Sequence, residues 1–89
     1  MRAVISVVGK DTVGILASVS SVCAKYNINI TEVSQSIMED MFCMIMMADI
    51  SSSTVDFNLF SDELTKYGED NNLSIHVMHE DIFNSMHRI

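Results

Sequence analysis

The chain has 89 residues, 48% hydrophobic and 19% charged, which is enough apolar matter for one folded core and too little length for a second domain. Five Lys and Arg against twelve Asp and Glu leave a formal charge of −7. That balance repels a phosphate backbone, no basic cluster overrides it, and nucleic-acid binding by this chain alone is argued against. The longest apolar run, Met41 to Ala48, is far short of the ~20 residues a membrane helix needs. No basic stretch leading into a long apolar one opens the sequence, so a cytoplasmic protein is the expectation.

There is no proline, no linker-like tract and no internal repeat. Arg2 to Val8 is rich in β-branched residues and reads as a strand stopping at Gly9. Gly9-Lys10-Asp11-Thr12-Val13-Gly14 is a turn bracketed by two glycines. Ile15, Val19, Val22 and Tyr26 then recur at helical spacing, with Leu16 and Cys23 widening the stripe, Asp11 or Thr12 as N-cap and Asn27 as the stop. Asn29 to Met38 reads as a strand with Val33 and Ile37 on one face beside Thr31 and Gln35; its polar residues predict an edge. After a tight turn at Glu39-Asp40, Met41 to Asp49 is apolar on both faces and predicts a central strand covered on both sides.

Ser51 to Thr54 forms a loop ending in cap-forming residues, and Phe57, Phe60, Leu64 and Tyr67 mark a second helix closed by Gly68 at C′. Leu73 to Met78 alternates as a fourth strand. Glu80 and Asp81 open the tail and His87 and Arg88 end it, signs that suit a short helix dipole. The order strand–helix–strand–strand–helix–strand gives a ferredoxin-like βαββαβ α+β sandwich: a four-stranded antiparallel sheet, two helices on one face, and a short C-terminal helical tail. Residues 1–89 are then a single domain, with 1–79 its core and 80–89 its tail. One helical layer cannot cover both faces of the third strand, so a second copy of the chain is expected against the open face; the rival is that the tail folds back over it.

The glycine-bracketed loop leads into a helix N-terminus, whose free N–H groups and positive dipole end favour a carboxylate. Asp11 can pair a ligand amine from the same loop, so the arrangement suits a zwitterion such as a free amino acid. A cap and tight turn with no ligand is the commoner use of such residues. The loop fits neither a Walker sequence nor G-x-G-x-x-G.

V-V-G-K-D-T-V-G-I-L-A, followed by N-I-N-I-T-E-V at the second strand, resembles an ACT domain, one of the small ferredoxin-like regulatory modules attached to enzymes of amino-acid metabolism. The similarity covers nearly the whole chain. The tail E-D-I-F-N-S-M-H-R-I resembles a stand-alone ACT group of small bacterial proteins related to the ACT repeats of the glycine-cleavage repressor. The resemblance implies an amino acid held at a dimer interface by the loop before the first helix and by the start of the second strand. It matches Gly14 to the family glycine that opens the helix, Asp11 to a loop position often occupied by Asn, and Asn29 to a ligand-contacting Asn. With the loop residues Thr12 and Val13 these make the candidate ligand-binding set. Asp11 is a departure, since a carboxylate accepts hydrogen bonds and cannot donate to a ligand carboxylate as an amide does.

Other chemistry-bearing residues point elsewhere. His76 and His79, three apart on or beyond a strand, face opposite ways and do not share a metal. The Met41, Met44, Met46 and Met47 cluster is divided between two faces and reads as core and interface filler rather than a copper site. Cys23 and Cys43 read as a reduced, buried pair. Glu69-Asp70-Asn71-Asn72 lacks the spacing of a calcium loop. No catalytic set, metal or cofactor is expected: an acylphosphatase on this fold needs an arginine in the first loop, and Lys10 is that loop's only base. The expectation is a homodimeric or higher regulatory module that binds a small molecule, an amino acid first among them. The alternative is a protein-docking module with no metabolite, using the open sheet face and the His87-Arg88 end of the tail.

Overall fold

Two strands dense in β-branched and sulfur-bearing residues make the centre of the sheet. In the computed structural model, which describes residues 1–10 and 13–86, β1 (Arg2–Lys10) lies between β3 (Met41–Asp49) and β4 (Leu73–His79). On its other side β3 pairs with β2 (Asn29–Met38), so the order is β2-β3-β1-β4 and every pairing is antiparallel. The crossovers are α1 (Ile15–Lys25) and α2 (Phe57–Asp70), and α3 (Glu80–Met86) follows β4. This is the expected ferredoxin-like sandwich, with β2 on the edge and β3 central.

The core lies between the helices and one face of the sheet. Ile5, Val7, Met44 and Met46 of the central strands meet Ile15, Val19 and Cys23 of α1 and Phe60 and Leu64 of α2. Burying each larger side chain contributes about 1.5–3 kcal/mol. The helices are also linked to each other at the surface. Lys25 Nζ lies 2.5 Å from Glu63 Oε2, and the Tyr26 hydroxyl donates to Glu63 Oε1. Those two donors, Lys25 first, hold the Glu63 carboxyl below the usual carboxylate range.

Several local expectations are corrected. β1 does not stop at Gly9 but runs to Lys10, because Gly9 and Lys10 still find partners in Phe42 and Met41 of β3. The N-cap of α1 is Gly14, not Asp11 or Thr12; those two lie outside the described residues. Asn27 does follow the end of α1, in the left-handed region at φ 58°. The cap of α2 is Asp56 rather than the Ser51–Thr54 loop, its carboxylate accepting from Leu59 N–H at 2.8 Å. In β2 a bulge separates Ile30, opposite Ala48, from Glu32, opposite Met47. Thr31 is the extra residue, and it donates through its hydroxyl to the Met47 carbonyl. The bulge puts Ile30 on the same face as Val33 and Ile37, which simple alternation forbids.

Gly68 is not a C′ stop either: it is a buried residue inside α2, which continues to Asp70. A Cβ there would lie 2.7 Å from the Leu73 carbonyl oxygen and 3.0 Å from Ile75 Cγ1, so glycine lets the helix approach the backbone of β4. The cysteines do not form a buried pair: Cys23 is in the core, while Cys43 is half-buried on the opposite face of the sheet. That opposite face is only partly covered. α3 packs against β1 and β4, and an Arg2–Glu80 ion pair ties its start to the start of β1. Val4, between Met47 and Met78 on that face, is only 1% exposed, whereas Ile45 further along is 44% exposed. As far as Met86 the tail therefore covers one end, as the rival expectation had it, and leaves the other open. Its last three residues, His87, Arg88 and Ile89, lie outside the described residues.

Two outcomes follow from this packing. Gly68→Ala is expected to destabilise by about 1–3 kcal/mol in urea unfolding, although Ala is the better helix former, because the added methyl meets backbone; a gain in stability would contradict the close approach. Glu63→Gln is expected to cost a little stability at pH 7. Its depressed carboxyl contributes stability above the ordinary carboxylate range and loses it as pH falls through the native value, so the wild-type advantage should vanish in acid unfolding below that range.

Candidate functional site

The loop joining β1 to α1 is shaped by one residue. Gly14 has φ 88°, a conformation that costs other L-residues, and it starts α1 with Ser18 N–H donating to its carbonyl at 2.9 Å. Among the described residues no side chain caps the helix and its first turn holds no acidic residue, so none of them engages its leading N–H groups in that way. Among the described residues nothing comes within 4 Å of where a Gly14 Cβ would stand, and the dihedral by itself calls for glycine. Val13 is wholly exposed beside it and Leu16 in the first helical turn is 39% exposed. Apolar side chains standing free next to uncapped N–H groups are what a small molecule with an anionic head and an apolar body can use.

Asn29 sits elsewhere. It pairs with Asp49, which pairs with Arg2 on its other side, so Asn29 lies at the end of the sheet where β1 begins. Lys10, which leads into the loop, pairs with Met41 at the other end. The strand between those ends is roughly 25 Å long at ~3.3 Å per residue. Val13 and Gly14 are therefore neighbours, and Asn29 is not brought to them within one chain. Sequence reasoning placed Gly14 at the head of α1 and Asn29 at the head of β2 but could not see this separation, which follows from β2 running parallel to β1. Beside Asn29, the Asp49 carboxylate accepts from Ser51 N–H at 2.9 Å, and this bond holds its carboxyl below the usual range.

The histidines do face opposite ways. His76 pairs with Ser6 on the open face, its Nε2 lying 3.2 Å from the Ser74 hydroxyl. His79 pairs with Ala3 on the helix side and stacks on Phe57 with centroids 4.2 Å apart. Among the described residues no three His, Cys, Asp or Glu side chains gather to hold a metal. A recess of about 110 Å³ lined by Met1, Arg2, His79, Glu80 and Asp81 lies at the Asn29 end, away from the loop. No helix among the described residues is long and apolar enough to cross a membrane.

The left-handed Gly14 alters how the loop can be probed. Gly14→Val is expected to lose about 1–2 kcal/mol from backbone strain alone, whatever binds there. Val13→Lys is expected to stay within about 0.5 kcal/mol of wild type in thermal unfolding, as befits a fully exposed side chain; a larger loss would mean that Val13 is covered.

Comparison with known proteins places this geometry in a family. The ACT domain profile matches residues 2–78. A UPF0237 protein of Listeria innocua is 52% identical over 89 residues, covering all of both chains. Among solved structures, an ACT domain protein from Streptococcus pneumoniae superposes with a TM-score of 0.79 at 35% identity, covering 93% of each chain. A structure described as a glycine cleavage system transcriptional repressor superposes with a TM-score of 0.70 at 22% identity, over 85% of this chain and 43% of that one, a likeness of fold alone. With a family match spanning most of its length and a relative identical at half its positions, this chain belongs to the ACT domain family.

Proposed function

We propose that the protein is a regulatory module, not an enzyme, that binds a small zwitterion of the amino-acid class in a site shared between two copies of the chain. The observation that carries this reading is the separation of Val13 and Gly14 from Asn29 at opposite ends of the sheet. Asn29 opens an edge strand of ten residues whose length beyond the bulge at Thr31 and Glu32 carries no proline and no charged side chain to guard it against edge pairing. If two β2 strands pair antiparallel about a two-fold axis, the partner's Asn29 arrives at the end of β2 that lies beside this chain's loop. The leading N–H groups of α1 then meet the ligand carboxylate, Val13 covers its apolar part, and the partner's Asn29 supplies the polar contact. Asp11 and Thr12, which complete the proposed loop, are assigned to it by their place in the sequence; a carboxylate at Asp11 suits the ligand amine. Membership of a family of regulatory domains supports the same reading. A ligand that binds only the paired form favours pairing by mass action, which gives the module its output.

Thermal shift of the purified protein against the twenty amino acids tests this. A ligand at a hundred times its dissociation constant adds about 2.7 kcal/mol, and one amino acid is expected to raise the melting temperature selectively. Asn29→Ala and Val13→Asp are each expected to abolish the shift, and mixing the two variants to restore part of it, since one of the two shared sites in a mixed pair is intact. No restoration on mixing would place the site within one chain. No shift with any amino acid would favour the docking module that takes no metabolite.

A further inference from the structure

Strand register divides the sulfur-bearing side chains of the β2–β3 hairpin into two sets. Met44 and Met46 point into the core and are at most 1% exposed. Met41 and Cys43 alternate with them and stand on the outer face, where Cys43 is half-buried and Met41 is 44% exposed. Met38 joins this outer set from β2: it pairs with Met41 across the Glu39-Asp40 turn and is 65% exposed. Glu39, at φ 61°, closes that turn in two residues, which fixes the pairing. Three sulfur atoms from two strands therefore share one end of one face.

Opposed residues on paired strands hold their Cβ atoms about 5 Å apart, and residues two apart on one strand lie roughly 6.6 Å apart along it. A methionine side chain turns about three bonds, so the thioethers of Met38 and Met41 reach toward the Cys43 sulfur from either side. Three sulfurs bound to one metal at about 2.3 Å each stand roughly 4 Å from one another, a spacing within that reach. The strand neighbours of these residues are Ser36, opposite Cys43, and Lys10, opposite Met41. The donors that converge here are thus a thiol and two thioethers, with no imidazole or carboxylate in their rows. A soft set of that kind selects monovalent copper over zinc, magnesium or calcium.

We propose that Met38, Met41 and Cys43 form a three-sulfur site for monovalent copper on the outer face of the β2–β3 hairpin. Binding exchanges the S–H bond of Cys43 for a copper–sulfur bond and releases the proton to solvent; copper keeps its oxidation state. The copper–thiolate unit is neutral, so the Lys10 ammonium beside Met41 meets no added positive charge. Cys23 does not compete, because it lies in the core with its thiol pushed up to about 11. The site shares no residue with the amino-acid site proposed above and stands or falls separately from it.

Anaerobic titration of the whole chain with copper(I), in competition with the chelator bicinchoninate, tests it. One copper is expected to bind per chain, and Cys43→Ser to abolish that binding. Met38→Leu and Met41→Leu, both at exposed positions, are each expected to weaken it roughly tenfold or more. Met86→Leu, exposed on α3, serves as the comparison and is expected to leave it unchanged. The unmodified chain gives a readout that does not depend on any variant folding. With carbon-13 in the methionine methyl groups, the signals of Met38 and Met41 are expected to move on adding copper(I), while the other six of the eight methionines stay in place. Copper held at full affinity by both leucine variants, or bound with no methionine signal moving, means coordination by the thiol alone and overturns the three-sulfur site. Binding that survives Cys43→Ser unchanged, or no binding in competition with the chelator, overturns it as well.

Discussion

The antiparallel pairing of β1 with β3 is the constraint on which the rest of the molecule depends. It runs in unbroken register from Arg2 opposite Asp49 to Lys10 opposite Met41. Its inner face is closed: Ile5, Val7, Met44 and Met46 are all at most 1% exposed, and both helices dock on them. Slipping β3 by one residue against β1 would turn Met44 and Met46 outward and bring Ile45 and Met47 under the helices. The flexible thioethers of Met44 and Met46 fill the space under two helices of different length, a use to which branched side chains adapt less well.

Once the central pair stands, the helices are held at distances set by small residues. Gly68 lets α2 press against the start of β4, and Gly14 turns the chain from β1 into α1. Glu63, taking both Lys25 and Tyr26, joins the two helices on their solvent side. The tail is tied down at its first residue by Arg2 and reaches only part of the outer face. Among the described residues the molecule therefore presents two unfinished surfaces, a long edge at β2 and a bare half-face on β3.

The candidate site shows how topology constrains function. A loop at one end of the sheet and an asparagine at the other do not meet in one chain, however suitable their chemistry. A site made from both has to be shared, and sharing links occupancy to assembly. That link is the physical basis of the regulatory reading: a ligand that spans two copies acts on their association because it has no complete site on one.

Much of this was legible in the amino-acid sequence. The 3.6-residue stripes of Ile15-Val19 and Phe60-Leu64, the alternation of Leu73 to Met78, and the double-faced run from Met41 determined the order of elements and the sandwich, because burial periodicity is a local property. The loop resemblance likewise pointed to the ACT family that the comparisons show. Tertiary structure decided what local pattern cannot carry. The bulge at Thr31 changed which β2 residues share a face, since only the partner strand records an extra residue. Gly68 read as a helix stop until β4 was seen to lie against it, because a glycine chosen for close approach and one chosen for a left-handed turn look the same in sequence. The coverage of Val4 and the exposure of Ile45, alike in kind and both on the outer face, depend on how far α3 extends over the sheet. The distance between Gly14 and Asn29 is set by strand direction, and strand direction exists only once the sheet has formed.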